Sequence, residues 1–183
     1  MKPLKKGATY DDLREVPDNF VAEMFDGELY ATPRPLLSHA HAAAGLLRSI
    51  HASFHHKGPG GWIILVEPEL HLANDVLVPD IAGWRRTRLS TIPADAAYAT
   101  LAPDWICEVL STRTEKIDRG KKLRIYAREC VPHAWLLDPR SRTLEVLSLE
   151  AGRWKVLGKY EGEEGVRAAP FESIRLELGE LWS

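Results

Sequence analysis

The chain has 183 residues, 45% of them hydrophobic, which suits one compact domain with a substantial core and leaves little room for two. Formal net charge is -2 and the isoelectric point is about 6.4, so the global balance excludes a strongly basic coat protein of nucleic acid; contact with a polyanion has to come from a local patch. Cys107 and Cys130 are the only cysteines, which excludes a disulfide framework and a cysteine-rich zinc site.

The basic start, Met1 to Gly7, is not followed by the apolar stretch of a signal peptide. No segment approaches the roughly 20 apolar residues that cross a bilayer, so a reducing, cytoplasmic setting without membrane contact is expected. Tyr10 to Pro17 reads as a short helix. Ala22 to Tyr30 then holds Asp26-Gly27 between apolar residues, the strongest short hairpin signal.

From Ser38 the spacing of His39, His41, three alanines, Leu46, Leu47, Ile50 and Phe54 predicts an amphipathic helix with Ser38 as N-cap, stopped at Lys57 to Gly61. Three strand-like runs follow, Trp62 to Leu72, Val76 to Trp84 and Trp105 to Leu110, with an irregular stretch holding Pro93 and Pro103 before the last. Thr112 to Glu115 matches a capping box, and Leu123, Tyr126, Ala127 and Cys130 repeat at helical spacing, predicting a helix that ends near Glu129, with Gly120 able to push its start to Asp118. Strands are expected at His133 to Leu137, Thr143 to Leu149 and Arg153 to Tyr160, the last two joined by a turn at Glu150-Ala151-Gly152. Helix, three strands, helix, strand and an added hairpin argue for an α/β (α+β) mixed sheet flanked by helices.

Val78-Pro79-Asp80-Ile81 and Ile106-Cys107-Glu108-Val109-Leu110 each place one carboxylate inside an apolar strand. Burying an isolated carboxylate costs several kcal/mol unless it is paired or binds a cation. Two such strands side by side gather both carboxylates, and Mg²⁺, which takes one or two carboxylates and keeps several waters, suits them. Spacing alone leaves open the alternative that Asp80 and Glu108 pair with buried Arg or Lys, or sit at solvent-facing strand ends.

Val78-Pro79-Asp80, Glu108 to Ser111, Asp118 to Lys122, Tyr126-Ala127-Arg128 and Val131 to Asp138, in that order, resemble the Uma family of restriction endonuclease domains, within the PD-(D/E)XK nuclease superfamily. Asp26-Gly27-Glu28 and a histidine opening the first long helix, His39, extend the likeness over nearly the whole chain. The resemblance implies a restriction-endonuclease-like αβββαβ core, with Asp80 on the second core strand and Glu108 on the third. On this reading residues 1–183 form a single domain: an N-terminal extension (1–20), a core (21–140) containing the N-terminal hairpin, and C-terminal strands (141–183). One departure matters: the superfamily's lysine two residues after the glutamate is replaced by Leu110. In the resembling family a lysine on the following helix substitutes, and Lys122 matches it; Lys121 is the weaker candidate, and an ordinary solvated lysine is the bland reading.

Glu67 and Glu69 fall on one face by strand alternation, and Glu67 is carried as a third metal-side carboxylate beside the reading of a solvent face. Glu28, His39 and Lys121 are candidate supports of the site, Glu28 alternatively closing its turn. His51 and His55 have i, i+4 spacing, but with His41 and His56 they fit a polar helix surface better than a transition-metal site. Arg113, Lys116, Arg119, Lys121, Lys122, Arg124 and Arg128 concentrate positive charge around the second helix, and Arg113, Lys116, Arg119 and Arg124 are candidate contacts to a nucleic-acid backbone; a solvated helix face is the alternative. Among the six tryptophans, Trp84 beside Arg85-Arg86 is the one weighed for base stacking against a core role.

The expectation is therefore a metal-dependent endonuclease hydrolysing DNA phosphodiester bonds. Asp80 and Glu108 hold Mg or Mn, Lys122 positions the water, and a homodimer serves two strands. Its rivals are a non-catalytic nucleic-acid-binding or interaction module retaining the nuclease fold, and a metal enzyme acting on RNA.

Overall fold

In the computed structural model the described residues are 1–55 and 60–182. The expected stop at Lys57 to Gly61 and His56 thus fall largely outside them. Strand β1 (Lys5–Lys6) and helix α1 (Tyr10–Arg14) precede a hairpin of β2 (Phe20–Phe25) and β3 (Glu28–Pro33). Asp26 and Gly27 link its strands with φ of 53° and 72°, the left-handed pair that a two-residue turn needs if it is to match the strand twist.

Helix α2 (Leu37–Phe54) starts one residue before Ser38; its N-cap is Leu36, and no side chain caps it, so the predicted Ser38 cap is not formed. Ser38 already lies inside the first turn, where its own backbone is helical.

The runs expected as two long strands are each divided between two sheets. β4 (Trp62–Val66) pairs with β7 (Ile81–Arg85), and β5 (Leu70–Leu72) with β6 (Asp75–Leu77), making one hairpin bent at its waist. The waist falls at Glu67-Pro68 going out and Val78-Pro79-Asp80 coming back. Proline donates no hydrogen bond to a ladder, and Glu67 takes a φ of 46°, so neither strand continues straight. β5 and β6 join the smaller sheet, ordered β1-β3-β2-β6-β5.

The larger sheet is ordered β11-β10-β9-β8-β7-β4, with β8 (Trp105–Val109), β9 (His133–Asp138), β10 (Thr143–Glu150) and β11 (Arg153–Glu161). Every neighbouring pair in it is antiparallel except β8 and β9. A parallel pair needs a crossover, which the helical segment between them supplies. That segment runs α3 (Glu115–Ile117), a π-helical turn (Asp118–Lys122) and α4 (Leu123–Arg128). The expected Thr112–Glu115 capping box is absent, since Ser111 Oγ instead accepts the Arg113 and Thr114 amides at 3.3 and 3.2 Å and closes the turn before the helix.

Side chains alternate across the large sheet. Trp105, Cys107 and Val109 of β8 pack with Ala42, Leu46 and Ile50 of α2. Ile106 faces the other way, among Leu123, Ile125 and Tyr126 of the crossover and Phe25, Tyr30 and Leu77 of the small sheet. Glu108 shares the parity of Ile106, so it is delivered to the crossover side. The α2 side is closed by chain that follows β11, where a small ladder of β12 (Gly165–Val166) and β13 (Leu176–Glu177) leads to a 3-10 turn (Leu178–Leu181). Gly45 permits that approach: a Cβ there would sit 3.2 Å from the Glu180 carbonyl and from Leu181.

Candidate active site

Pairing of Ile81 with Cys107 and with Val66, carried one residue toward the waist, sets Asp80 across from Glu108 on one side and from Glu67 on the other. The row lies where the bent hairpin opens a cleft that Glu67, Asp80 and Glu108 all line, together with Glu23, His39, Asp118 and Lys122. Asp80 Oδ2 accepts the Val109 amide at 2.7 Å, and Oδ1 lies 3.2 Å from His39 Nε2, one turn into α2. Burial lowers the affinity of His39 for a proton, but Asp80 outweighs it and the net displacement is upward.

Glu108 is 2% exposed. Its Oε2 lies 2.8 Å from Lys122 Nζ, and its Oε1 accepts the Tyr126 hydroxyl at 2.7 Å. The Lys122 ammonium also reaches Glu23 Oε1 at 2.9 Å, donates to the Val78 carbonyl at 3.2 Å and has Asp118 Oδ1 at 3.9 Å. The π-turn carries Lys122 and Asp118 inward together, both nearly inaccessible. Widened helical turns of this kind are common at functional sites.

Charge in this cluster does not balance: Glu23, Asp80, Glu108 and Asp118 face one lysine and one histidine. Burial pushes the Glu108 carboxyl well above the usual carboxylate range despite Lys122, and raises Asp118 to about 7. Lys122 moves up as well, since Glu108 and Glu23 outweigh its own burial. Each displacement favours keeping a proton, the behaviour of a pocket with surplus negative charge. A hard dication would answer the same surplus, and the oxygen donors have the right chemistry. Among the described residues, however, no three His, Cys, Asp or Glu side chains converge in a ready-made metal cage.

The structure thus brings Asp80, Glu108, Lys122 and His39 together. Glu67 borders the cleft, but its carboxylate pairs with Arg34 at 2.8 Å. Glu69 leaves the row because the break at Glu67 destroys strand parity; its Oε1 accepts from Tyr10 and pairs with His71. Glu28 and Lys121 bind one another at 2.7 Å on the outer hairpin, with Tyr30, and neither lines the cleft.

The basic residues of the crossover are mostly neutralised where they stand. Arg119 bonds Glu145 and Glu115, Arg124 bonds Asp26, and Arg128 bonds Asp75 and Glu129. Of the four backbone-contact candidates, Arg113 and Lys116 keep exposed side chains with no acidic partner among the described residues, and Arg113 lines the cleft. Trp84 is fully buried and donates to the Leu101 carbonyl, so it is a core residue. His51 and His55 stack at 4.1 Å, and His55 Nδ1 accepts the Ile64 amide, which spends one of its ring nitrogens on the fold.

Sequence reasoning passed over Glu23 and Tyr126. Glu23 carried the same signal as Glu108, an acid inside the apolar run Phe20–Phe25, and is 7% exposed. Tyr126 sat in an apolar helical stripe, and nothing in the stripe distinguishes a packed ring from one aimed at a carboxylate.

A mixed sheet crossed by one parallel pair, with acids at the hairpin waist, defines a restriction-endonuclease-like fold. The structure superposes on the crystal structure of "a putative nuclease" from Anabaena variabilis with a TM-score of 0.76 and 20% identity, covering 95% of this chain and 97% of that one. The family model described as "Putative restriction endonuclease" matches residues 8–179, and the chain belongs to that family, the Uma family. No curated protein matches the sequence. No described helix is long and apolar enough to cross a membrane.

Proposed function

We propose that this protein is a divalent-metal-dependent nuclease of the PD-(D/E)XK type that hydrolyses DNA phosphodiester bonds, with residues 1–183 acting as one cytoplasmic unit that pairs as a homodimer. The observation that carries the reading is the register-opposed pair Asp80 and Glu108 in an open cleft, with the Lys122 ammonium held against Glu108. Asp80 and Glu108 would hold Mg²⁺ or Mn²⁺, which when bound polarises a phosphoryl oxygen and acidifies an attacking water. Lys122, wedged between Glu23 and Glu108, keeps Glu108 oriented and offsets negative charge at the back of the site. Tyr126 fixes the other oxygen of Glu108. His39 aligns the Asp80 carboxylate from the opposite side of the sheet.

A second reading, a nucleic-acid-binding module without catalysis, is favoured by one feature: both Glu108 oxygens are already engaged by protein donors. Plasmid incubated with Mg²⁺ or Mn²⁺ and the wild type, Asp80→Ala or Glu108→Ala separates the two. Nicking by the wild type and a loss of about a hundredfold or more in both variants supports the nuclease. Binding without nicking supports the module, and equal nicking by all three proteins marks a contaminant. RNA and single-stranded arms in the same assay test the polymer.

A further inference from the structure

Two lips bound the cleft, and they differ in chemistry. One is the strap Pro33-Arg34-Pro35-Leu36-Leu37, which joins β3 to α2 and contributes Pro33, Pro35 and Leu36 to the lining. Leu36 and Leu37 are 78% and 89% exposed, the most exposed large hydrophobic residues among the described ones. They are not on a slack loop. Two prolines restrict the backbone, the Arg34 amide donates to the Asn19 carbonyl at 3.3 Å, and the Arg34 guanidinium is held by Glu67 at 2.8 Å and by the Asp18 carbonyl. The other lip is formed by the Ser111-closed turn, which contributes Arg113 to the same lining, its exposed side chain without an acidic partner among the described residues.

Resting on the nuclease reading, we infer that the cleft takes single-stranded or locally unpaired DNA, with a nucleobase packed on Leu36-Leu37 and its phosphate toward Arg113. A nucleotide has the same division, an apolar face and an anionic group, and an apolar pair held out rigidly can wedge against a base that has left its stack. A duplex hides its base faces and is gripped by many phosphate contacts, commonly about 6–10. This cleft is poorly equipped for that grip: Arg34 and Arg140 on its walls are both tied to carboxylates, which leaves Arg113 as the uncommitted cation of its described lining.

The test is anisotropy binding, in EDTA and in Mn²⁺, of short fluorescent oligonucleotides: single strand, duplex, and duplex with a central unpaired bubble. Proteins are the wild type, Leu36→Ser/Leu37→Ser and Arg113→Ala, with circular dichroism to verify folding; both leucines are solvent-facing, so the double variant keeps its core. Single strand and bubble should bind about tenfold tighter than duplex, and the double variant should lose about tenfold on them with an unchanged salt dependence. Arg113→Ala should instead flatten the salt dependence. Equal affinity for duplex, or no loss in the double variant, overturns the inference. So does a change from dimer to monomer in the double variant, which would make the lip a self-association surface. Parallel cleavage assays keep the two readings apart: leucine-dependent single-strand binding without Asp80-dependent cleavage sinks the nuclease alone. Asp80-dependent duplex cleavage indifferent to the leucines sinks the unpaired-DNA inference alone.

Discussion

The cluster around Lys122 and the outer surface of the same crossover are both rich in charge, and they behave in opposite ways. On the surface, Arg119, Lys121, Arg124 and Arg128 each meet an acid from another element, so a run that looks cationic in sequence projects little field. Inside, Glu23, Glu108 and Asp118 converge on one lysine while Asp80 beside them meets only His39, and burial of the Lys122 cluster keeps the mismatch from being screened. A count of charges along a helix therefore misjudges both regions, because what matters is which charges find partners and how much water remains between them.

The sharpest way to break this contrast is to remove the buried cation. Lys122→Met leaves Glu108 and Glu23 without it and should cost about 3–5 kcal/mol in denaturant unfolding at pH 8. The deficit should shrink at pH 5, where the acids can take protons; a loss under 1 kcal/mol at pH 8, by the same surface-pair yardstick, would mean that the cluster is hydrated.

Next in size is the pH dependence of the wild type. Asp118 has a folded value of about 7 against an ordinary 3.8, so between these limits the folded chain holds a proton that the unfolded chain has released. Stability should fall as pH rises through that window, by at most on the order of 1.4 kcal/mol per pH unit for this one group. Glu108 and His39, both displaced upward, act in the same direction. Asp118→Asn should flatten the profile; a slope that persists unchanged would assign it elsewhere.

On the surface, Arg119→Ala should cost only about 0.2–1 kcal/mol although it removes a bidentate contact to Glu145 and a bond to Glu115. Smallest of all, Arg113→Ala should leave the melting curve within about 0.5 kcal/mol of the wild type, since its exposed side chain has no acidic partner among the described residues. Its effect should appear in DNA binding, where the slope of log affinity against log salt should drop by about 0.7 for a single strand.

Much of the architecture was legible from local pattern. Asp26-Gly27 announced the hairpin because few residue pairs accept two left-handed positions in succession. A short continuous apolar run located β8, which is buried on both faces, and period-3.6 spacing located α2 and α4, since a helix with one buried face imposes that period on its apolar residues. The ordered motifs pointed to the family that matches residues 8–179. The bend at Glu67-Pro68 and Val78-Pro79 was harder to see. The prolines mark a break, but whether the chain then changes sheet depends on a partner strand, β2, that lies far away in sequence.

The amino-acid sequence by itself marked Asp80 and Glu108 as carboxylates set in apolar runs and placed Glu108 in a strand, because hydrophobic pattern is a local property; Asp80, expected inside a strand as well, falls instead at the hairpin waist, just before β7 begins at Ile81. Only the tertiary structure decided what surrounds them. The engagement of Lys122 with Glu108 and of Lys121 with Glu28, the arrival of Glu23 and Tyr126, and the neutralisation of the basic helix all depend on contacts between distant segments. Their energies turn on distance and burial, and neither quantity is written in the order of the residues.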